Sequence, residues 1–262
     1  MSSNTSRRRV LLGIGTAATV GLAGCGGSEG DGTPTGTADG MDPETETETD
    51  GGGMSETAMV RVAHMSPDAP NVDVYVDGSA VLEDVPFGDT SDYLEVDAGD
   101  HDVEITAAGD QSTSVFDDSI TVEADTAYSV VAAGEISEGA DEPFAPLILE
   151  DDTSAPSEDM ASLRVVHVSP DAPAVDITAA GGDVVLFDGV DYTESGSTEV
   201  QANDYTVEVR GDTESNDGEV VADFDVSLNG GTAYTAFAAG YLSPGDEPAD
   251  TGFDLFVAQD SS

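Results

Sequence analysis

Apolar side chains fall on alternate positions along most of this chain, as in Val60/Val62/His64, Val72/Val74/Val76, Val103/Ile105, Ile120/Val122 and Tyr128/Val130. A period of two places one side chain toward a core and the next toward solvent, which is the pattern of a half-buried strand. Turn-forming residues interrupt the runs at Pro67-Asp68, Asp77-Gly78, Ala98-Gly99-Asp100, Gly109-Asp110 and Glu123–Asp125. No segment sustains a helical period over three turns. Asp125-Thr126-Ala127-Tyr128 fits either a tyrosine corner, whose phenol ties down the preceding loop, or a plain strand tyrosine.

The pattern occurs twice. Arg61-Val62-Ala63-His64-Met65-Ser66-Pro67-Asp68-Ala69-Pro70-Asn71-Val72-Asp73 returns 103 positions later as Arg164-Val165-Val166-His167-Val168-Ser169-Pro170-Asp171-Ala172-Pro173-Ala174-Val175-Asp176. Thr126-Ala127-Tyr128 and Ala132-Ala133-Gly134 return as Thr232-Ala233-Tyr234 and Ala238-Ala239-Gly240. A tandem duplication accounts for both. Each copy has seven or eight short strands at regular spacing and enough residues for its own core. The chain is therefore read as all-β: two tandem immunoglobulin-like β-sandwich domains, over 58–150 and 162–258, joined by an acidic linker over 151–161.

The first 57 residues do not share the alternation. Ser6-Arg7-Arg8-Arg9-Val10-Leu11-Leu12 has the form of a twin-arginine export motif, with Arg7 and Arg8 as its pair. The apolar run Val10–Ala23 that follows is shorter than the ~20 residues a membrane-spanning helix needs. It ends in Leu22-Ala23-Gly24-Cys25, which resembles a lipobox. Residues 1–24 are thus expected to be a signal peptide, and Cys25, the only cysteine, the lipid attachment point. From Cys25 to Thr57 the chain is Gly, Thr and acid with almost no apolar residue, a composition that forms no core and is expected to be a disordered tether.

Charge changes the picture of the surroundings. The formal net charge is −49, with six Lys plus Arg against 55 Asp plus Glu. All six bases are arginine, and beyond the signal peptide only Arg61, Arg164 and Arg210 remain. Self-repulsion of such a surface is severe in dilute buffer and screened within roughly 3 Å in molar salt. The composition resembles that of proteins from salt-loving archaea. Nucleic acid and anionic membrane surfaces are poor partners for such a field, because binding them relies on positive charge.

The repeated Ser-Pro-Asp-Ala-Pro segment is the best candidate for chemistry. In a functional reading His64, Asp68 and Asp73 converge on a metal or a polar ligand, as do His167, Asp171 and Asp176. In a structural reading the prolines fix the turn, the aspartates accept backbone N–H groups and the histidine bonds within the domain. The structural reading is the simpler. The loop from Asp212 to Asp223 departs from a calcium-binding EF-hand, its glycine falling one place late. No nucleophile elbow, phosphate-binding loop or zinc-binding His-Glu-x-x-His occurs. No enzyme activity, metal or other cofactor is expected.

The Arg-Val-x-His-x-Ser-Pro-Asp-Ala-Pro-x-Val-Asp string resembles the opening of the domain-of-unknown-function family numbered 4397. Tyr75-Val76-Asp77-Gly78, the Gly99-Asp100-x-x-Val103-Glu104 turn and Thr126-Ala127-Tyr128…Gly134 extend the resemblance. The second copy departs after Asp176, where Ile177-Thr178-Ala179-Ala180 replaces Val74-Tyr75-Val76-Asp77. The resemblance implies secreted or surface-anchored β domains, often in tandem, and no known activity. The expectation is a monomeric, non-catalytic protein on the outer face of the cytoplasmic membrane. Its partners are membrane lipid through Cys25 and a cell-surface glycan or protein, with an envelope spacer as the alternative and an extracellular hydrolase the least favoured.

Overall fold

The computed structural model describes residues 56–261. Arg7, Arg8, Cys25 and the tether as far as residue 55 lie outside the described residues. The first copy folds into eight strands: β1 Thr57–His64, β2 Val72–Val76, β3 Ser79–Val85, β4 Leu94–Asp97, β5 Gly99–Ala107, β6 Asp110–Val122, β7 Ala127–Ala133 and β8 Ala145–Asp151. The second repeats them as β9 Met160–His167, β10 Val175–Ala179, β11 Val184–Val190, β12 Ser195–Gln201, β13 Asn203–Gly211, β14 Val220–Leu228, β15 Thr232–Ala239 and β16 Asp254–Ser261. Strands thus reach into the stretch read as the linker, with β8 carrying Asp151 and β9 beginning at Met160.

Each copy is a sandwich of two four-stranded sheets. The first pairs β4-β1-β7-β8 with β3-β2-β5-β6, and the second pairs β12-β9-β15-β16 with β11-β10-β13-β14. The sandwich architecture is the expected one, with a strand order of its own. β1 lies parallel to β7, and β9 parallel to β15, while the other pairs are antiparallel. The Ser-Pro-Asp-Ala-Pro segments produce this order. Each sits where the chain leaves one sheet for the other, and prolines that offer no N–H to a ladder suit such a corner.

The cores follow from the alternation. Val62, Val74, Val103, Ile105, Ile120 and Val130 meet inside the first sandwich, and Leu163, Val165, Ile177, Val207, Val209 and Val226 inside the second. Tyr128 and Tyr234 are tyrosine corners: each hydroxyl accepts a bond from the N–H five residues upstream, Glu123 (3.2 Å) and Asn229 (3.1 Å). Asp77 and Gly78 both adopt positive φ (51° and 76°) in the two-residue hairpin between β2 and β3, a turn that matches strand twist. In the second copy Ala180–Gly182 forms a 3₁₀ turn instead, so the departure after Asp176 does change the loop.

A third core joins the sandwiches. Ala63, Met65, Val131 and Ala133 from the first pack with Val166, Val168, Phe237 and Ala239 from the second, all at most 2% exposed. Strand β15 is buried at every position, because one of its faces serves its own sandwich and the other serves this shared core. The two sandwiches are consequently four sheets deep, and the central strands β7 and β15 of the inner sheets are buried on both faces, while their edge strands keep exposed positions.

Candidate functional site

The repeated motif forms two corners with the same internal bonding. His64 is fully buried, and its Nε2 lies 3.0 Å from the Pro70 carbonyl; His167 does the same with Pro173 at 3.1 Å. A carbonyl only accepts, so Nε2 carries the proton in both rings. Burial pushes both histidines below their ordinary pKa, partly offset by the carbonyl contact, so they are neutral near pH 7. They differ at Nδ1, which accepts from the Ser169 N–H in the second copy (3.3 Å) and has no partner in the first.

The serines and aspartates lock each corner to the loop after β7 or β15. Ser66 Oγ donates to the Gly134 carbonyl at 2.6 Å, and Ser169 Oγ to that of Gly240 at 2.5 Å. Those glycines need their positive φ, 81° and 89°, and a Cβ would stand 2.6 Å from the Pro143 carbonyl oxygen or 2.3 Å from that of Gly252. Asp68 accepts from the N–H groups of Ile136 and Ser137 (both 2.9 Å), and Asp171 from Leu242 and Ser243 (both 2.8 Å). Asp73 accepts from Asp84 (2.7 Å) and Gly109 (2.8 Å), and Asp176 from Gly189 (2.9 Å) and Thr213 (3.0 Å). The three motif residues of each copy thus bond to three different loops and converge on no common point.

Asp176 does join two acids that lie well apart from it along the chain. Its carboxylate lies with those of Asp188 and Asp212, oxygen atoms within 4.8 Å of one another, in a geometry that could hold a cation. Burial, with Asp176 and Asp188 nearby, raises the pKa of Asp212. Both oxygens of Asp176 already accept backbone N–H groups, so its place in the fold is explained without an ion.

Between the sandwiches lies an ionic arrangement that the sequence reading missed. Arg61, 1% exposed, donates from Nε to Ser129 Oγ (2.7 Å) and from Nη2 to Asp260 of the second sandwich (2.5 Å). Arg164 reciprocates, donating from Nε to Thr235 Oγ1 (3.0 Å) and from Nη2 to Asp151 of the first sandwich (2.5 Å). Asp151 also lies 3.7 Å from Arg61 and accepts from Ser129 and Tyr93, whose ring stacks 4.8 Å from the Arg61 guanidinium. Burial and the bond to Asp151 push the Tyr93 phenol far above its ordinary pKa. Tyr241 extends the contact, donating to Glu135 at 2.8 Å. The available signal was the repetition of an arginine within a strand of a chain that has so few.

Residues 58–178 match the family described as a domain of unknown function (DUF4397). That span covers the first sandwich and continues through β9 into β10. No curated protein matches the chain. Among solved structures, the C-terminal domain of AlgF from P. aeruginosa is similar at 14% identity, covering 39% of this chain and 99% of that one, with a TM-score of 0.29. The Bacillus anthracis TIE protein is similar at 9% identity, covering 70% of this chain and 34% of that one, with a TM-score of 0.23. Similarities of this size carry no argument about function.

Proposed function

We propose that this chain is an exported, lipid-anchored surface protein whose paired sandwiches form one non-catalytic head that binds an envelope polymer or protein. The observation that carries this reading is how the repeated motif is used. His64, Ser66, Asp68 and Asp73, and their counterparts in the second copy, hold backbone groups of their own fold, so the most specific polar residues of the chain build a scaffold rather than a reactive centre. Contact with a partner then falls to exposed loops and outer strands. The shared core and reciprocal ion pairs hold the two copies at a fixed spacing, so a repetitive partner would meet both copies at once.

The anchor rests on Cys25 and the residues before it. Cys25→Ser should release the protein into the medium; continued membrane association would contradict lipidation. The full chain should also retain a saturable component of envelope extract in molar salt, and a head that retains none is a spacer. The surface predicts dependence on salt. All three described arginines are engaged with carboxylates, and Arg61 and Arg164 are buried, so little positive charge faces the acids outside. Dialysis into dilute buffer should abolish the β circular dichroism.

A further inference from the structure

The two sandwiches are not filled alike. A cleft of about 470 Å³ opens between the sheets of the first, its floor formed by core residues such as Val74, Ile105 and Val130 and its mouth by Val76, Val81 and Leu94. Its wall is aliphatic, without an aromatic ring. Its polar lining consists of Asp77, Glu95, Asp97 and His101. His101 donates to Asp77 Oδ2 (2.7 Å) and to the Asp97 carbonyl (2.6 Å), and since both partners only accept, both ring nitrogens carry protons. The imidazolium is thereby committed to Asp77, and Glu95 and Asp97 remain as exposed carboxylates.

The duplication supplies the control. Tyr205 stands where His101 stands in the first copy, and its hydroxyl donates to the Gln201 carbonyl (2.7 Å), the counterpart of the His101–Asp97 contact. Leu186 and Phe187 stand where Val81 and Leu82 stand, and all three larger side chains pack on the core of the second sandwich. The Phe187 ring lies over Gly196, where a Cβ would come within 2.8 Å of it. The corresponding residue of the first copy is Asp92. At this edge the second copy thus covers its core with larger side chains than the first does.

We infer that the first sandwich is a binding site for a single aliphatic chain bearing a cationic head, the chain lying between the sheets and the head beside Glu95 and Asp97. The volume is within the range of small-molecule sites, and an apolar wall with a few polar groups at one end is their usual construction. Charge complementarity selects the head group: an anionic amphiphile would bring its charge against the carboxylates, within a chain of net charge −49. This assignment is independent of the envelope-binding reading, since the cavity could be occupied whether or not the head has a macromolecular partner.

The test uses the full chain in molar salt, titrated calorimetrically with decyltrimethylammonium, decanol and decanoate below their micellar concentrations. One-to-one saturable binding is expected, tightest for the ammonium and weakest for decanoate. Val81→Leu/His101→Tyr, which installs the residues of the second copy, should weaken all binding by about tenfold or more, with a folded circular dichroism spectrum. Glu95→Gln/Asp97→Asn should bring the ammonium close to decanol and leave decanol unchanged, separating head from chain. The inference is overturned if no probe saturates, if decanoate binds best, or if the filled variant binds as well as the parent chain.

Discussion

In the second sandwich Tyr205, Leu186 and Phe187 pack onto the core, whereas in the first sandwich His101, Val81 and Leu82 hold those positions beside an open cavity. The backbone bonds around them are equivalent, down to the ring at 101 or 205 reaching the last carbonyl of the neighbouring edge strand. Duplication gave both copies one scaffold, and a few side chains at one edge set how that edge is covered. The inner sheets, by contrast, are treated alike in both copies, because each is the other's packing surface. Their side chains differ in size all the same: Ala63, Met65 and Val131 stand where Val166, Val168 and Phe237 stand, and the two sets pack against each other in one core.

The largest effect should come from the shared layer. Asp151→Ala leaves Arg164 without a carboxylate partner and removes one of two from Arg61, and removing one member of a buried pair costs about 3–5 kcal/mol. Asp260→Ala should cost less, because Asp260 meets Arg61 while Asp151 lies near both arginines. Denaturant midpoints in molar salt check this order, and equal losses would mean the two halves of the interface are energetically symmetric.

Next come the corner glycines. Gly134→Ala and Gly240→Ala force a side chain into positive φ and against a carbonyl oxygen, at about 1–3 kcal/mol for the strained backbone alone. Both corners should suffer, since the bonding around them is duplicated. A large loss in one copy only, seen by thermal unfolding, would show that the corners are not equivalent.

The cavity offers a smaller effect of opposite sign. Val81→Leu/His101→Tyr fills space that the second copy already fills, and cavity filling commonly adds about 0.5–2 kcal/mol. A lower midpoint for this variant would mean the first sandwich cannot adopt the packing of the second.

The smallest effects are in the pH dependence, and the three histidines divide by sign. His64 and His167 have lowered pKa values in the folded protein, from burial, so the unfolded chain binds protons first as pH falls below about 6.5 and their contribution declines there. His101 has a raised pKa, chiefly from its bond to Asp77, so its contribution is complete below about 6.5 and is lost as pH rises through the raised value. Proton NMR of the three imidazoles should show one titrating above the ordinary range and two below it. His101→Gln should remove the loss of stability above pH 6.5 and leave the acid side unchanged.

Much of this architecture was legible in the residues themselves. Alternation at Val72/Val74/Val76 and its counterparts follows from the two-residue period of a strand, and Asp77-Gly78 marks a hairpin because few other residues accept positive φ at both positions. The motif signalled a corner through its prolines. The inner strands were harder to read: Ser129, Val131 and Ala133 sit on the face that alternation assigns to solvent, and only their small or apolar character hinted at a second buried face.

What the sequence determined by itself is local or compositional: the strands, their duplication, and a composition of acids almost without bases. These depend on spacing, backbone preference and charge, which a linear chain carries openly. Tertiary structure alone decided that the copies share a core, that Arg61 meets Asp260 across 199 positions and Arg164 meets Asp151, and that Asp176 lies with Asp188 and Asp212. It also decided that a cleft opens between the sheets of the first sandwich. Each of these depends on which faces come together and on the volume left between them, and no periodicity along one chain records the distance to another.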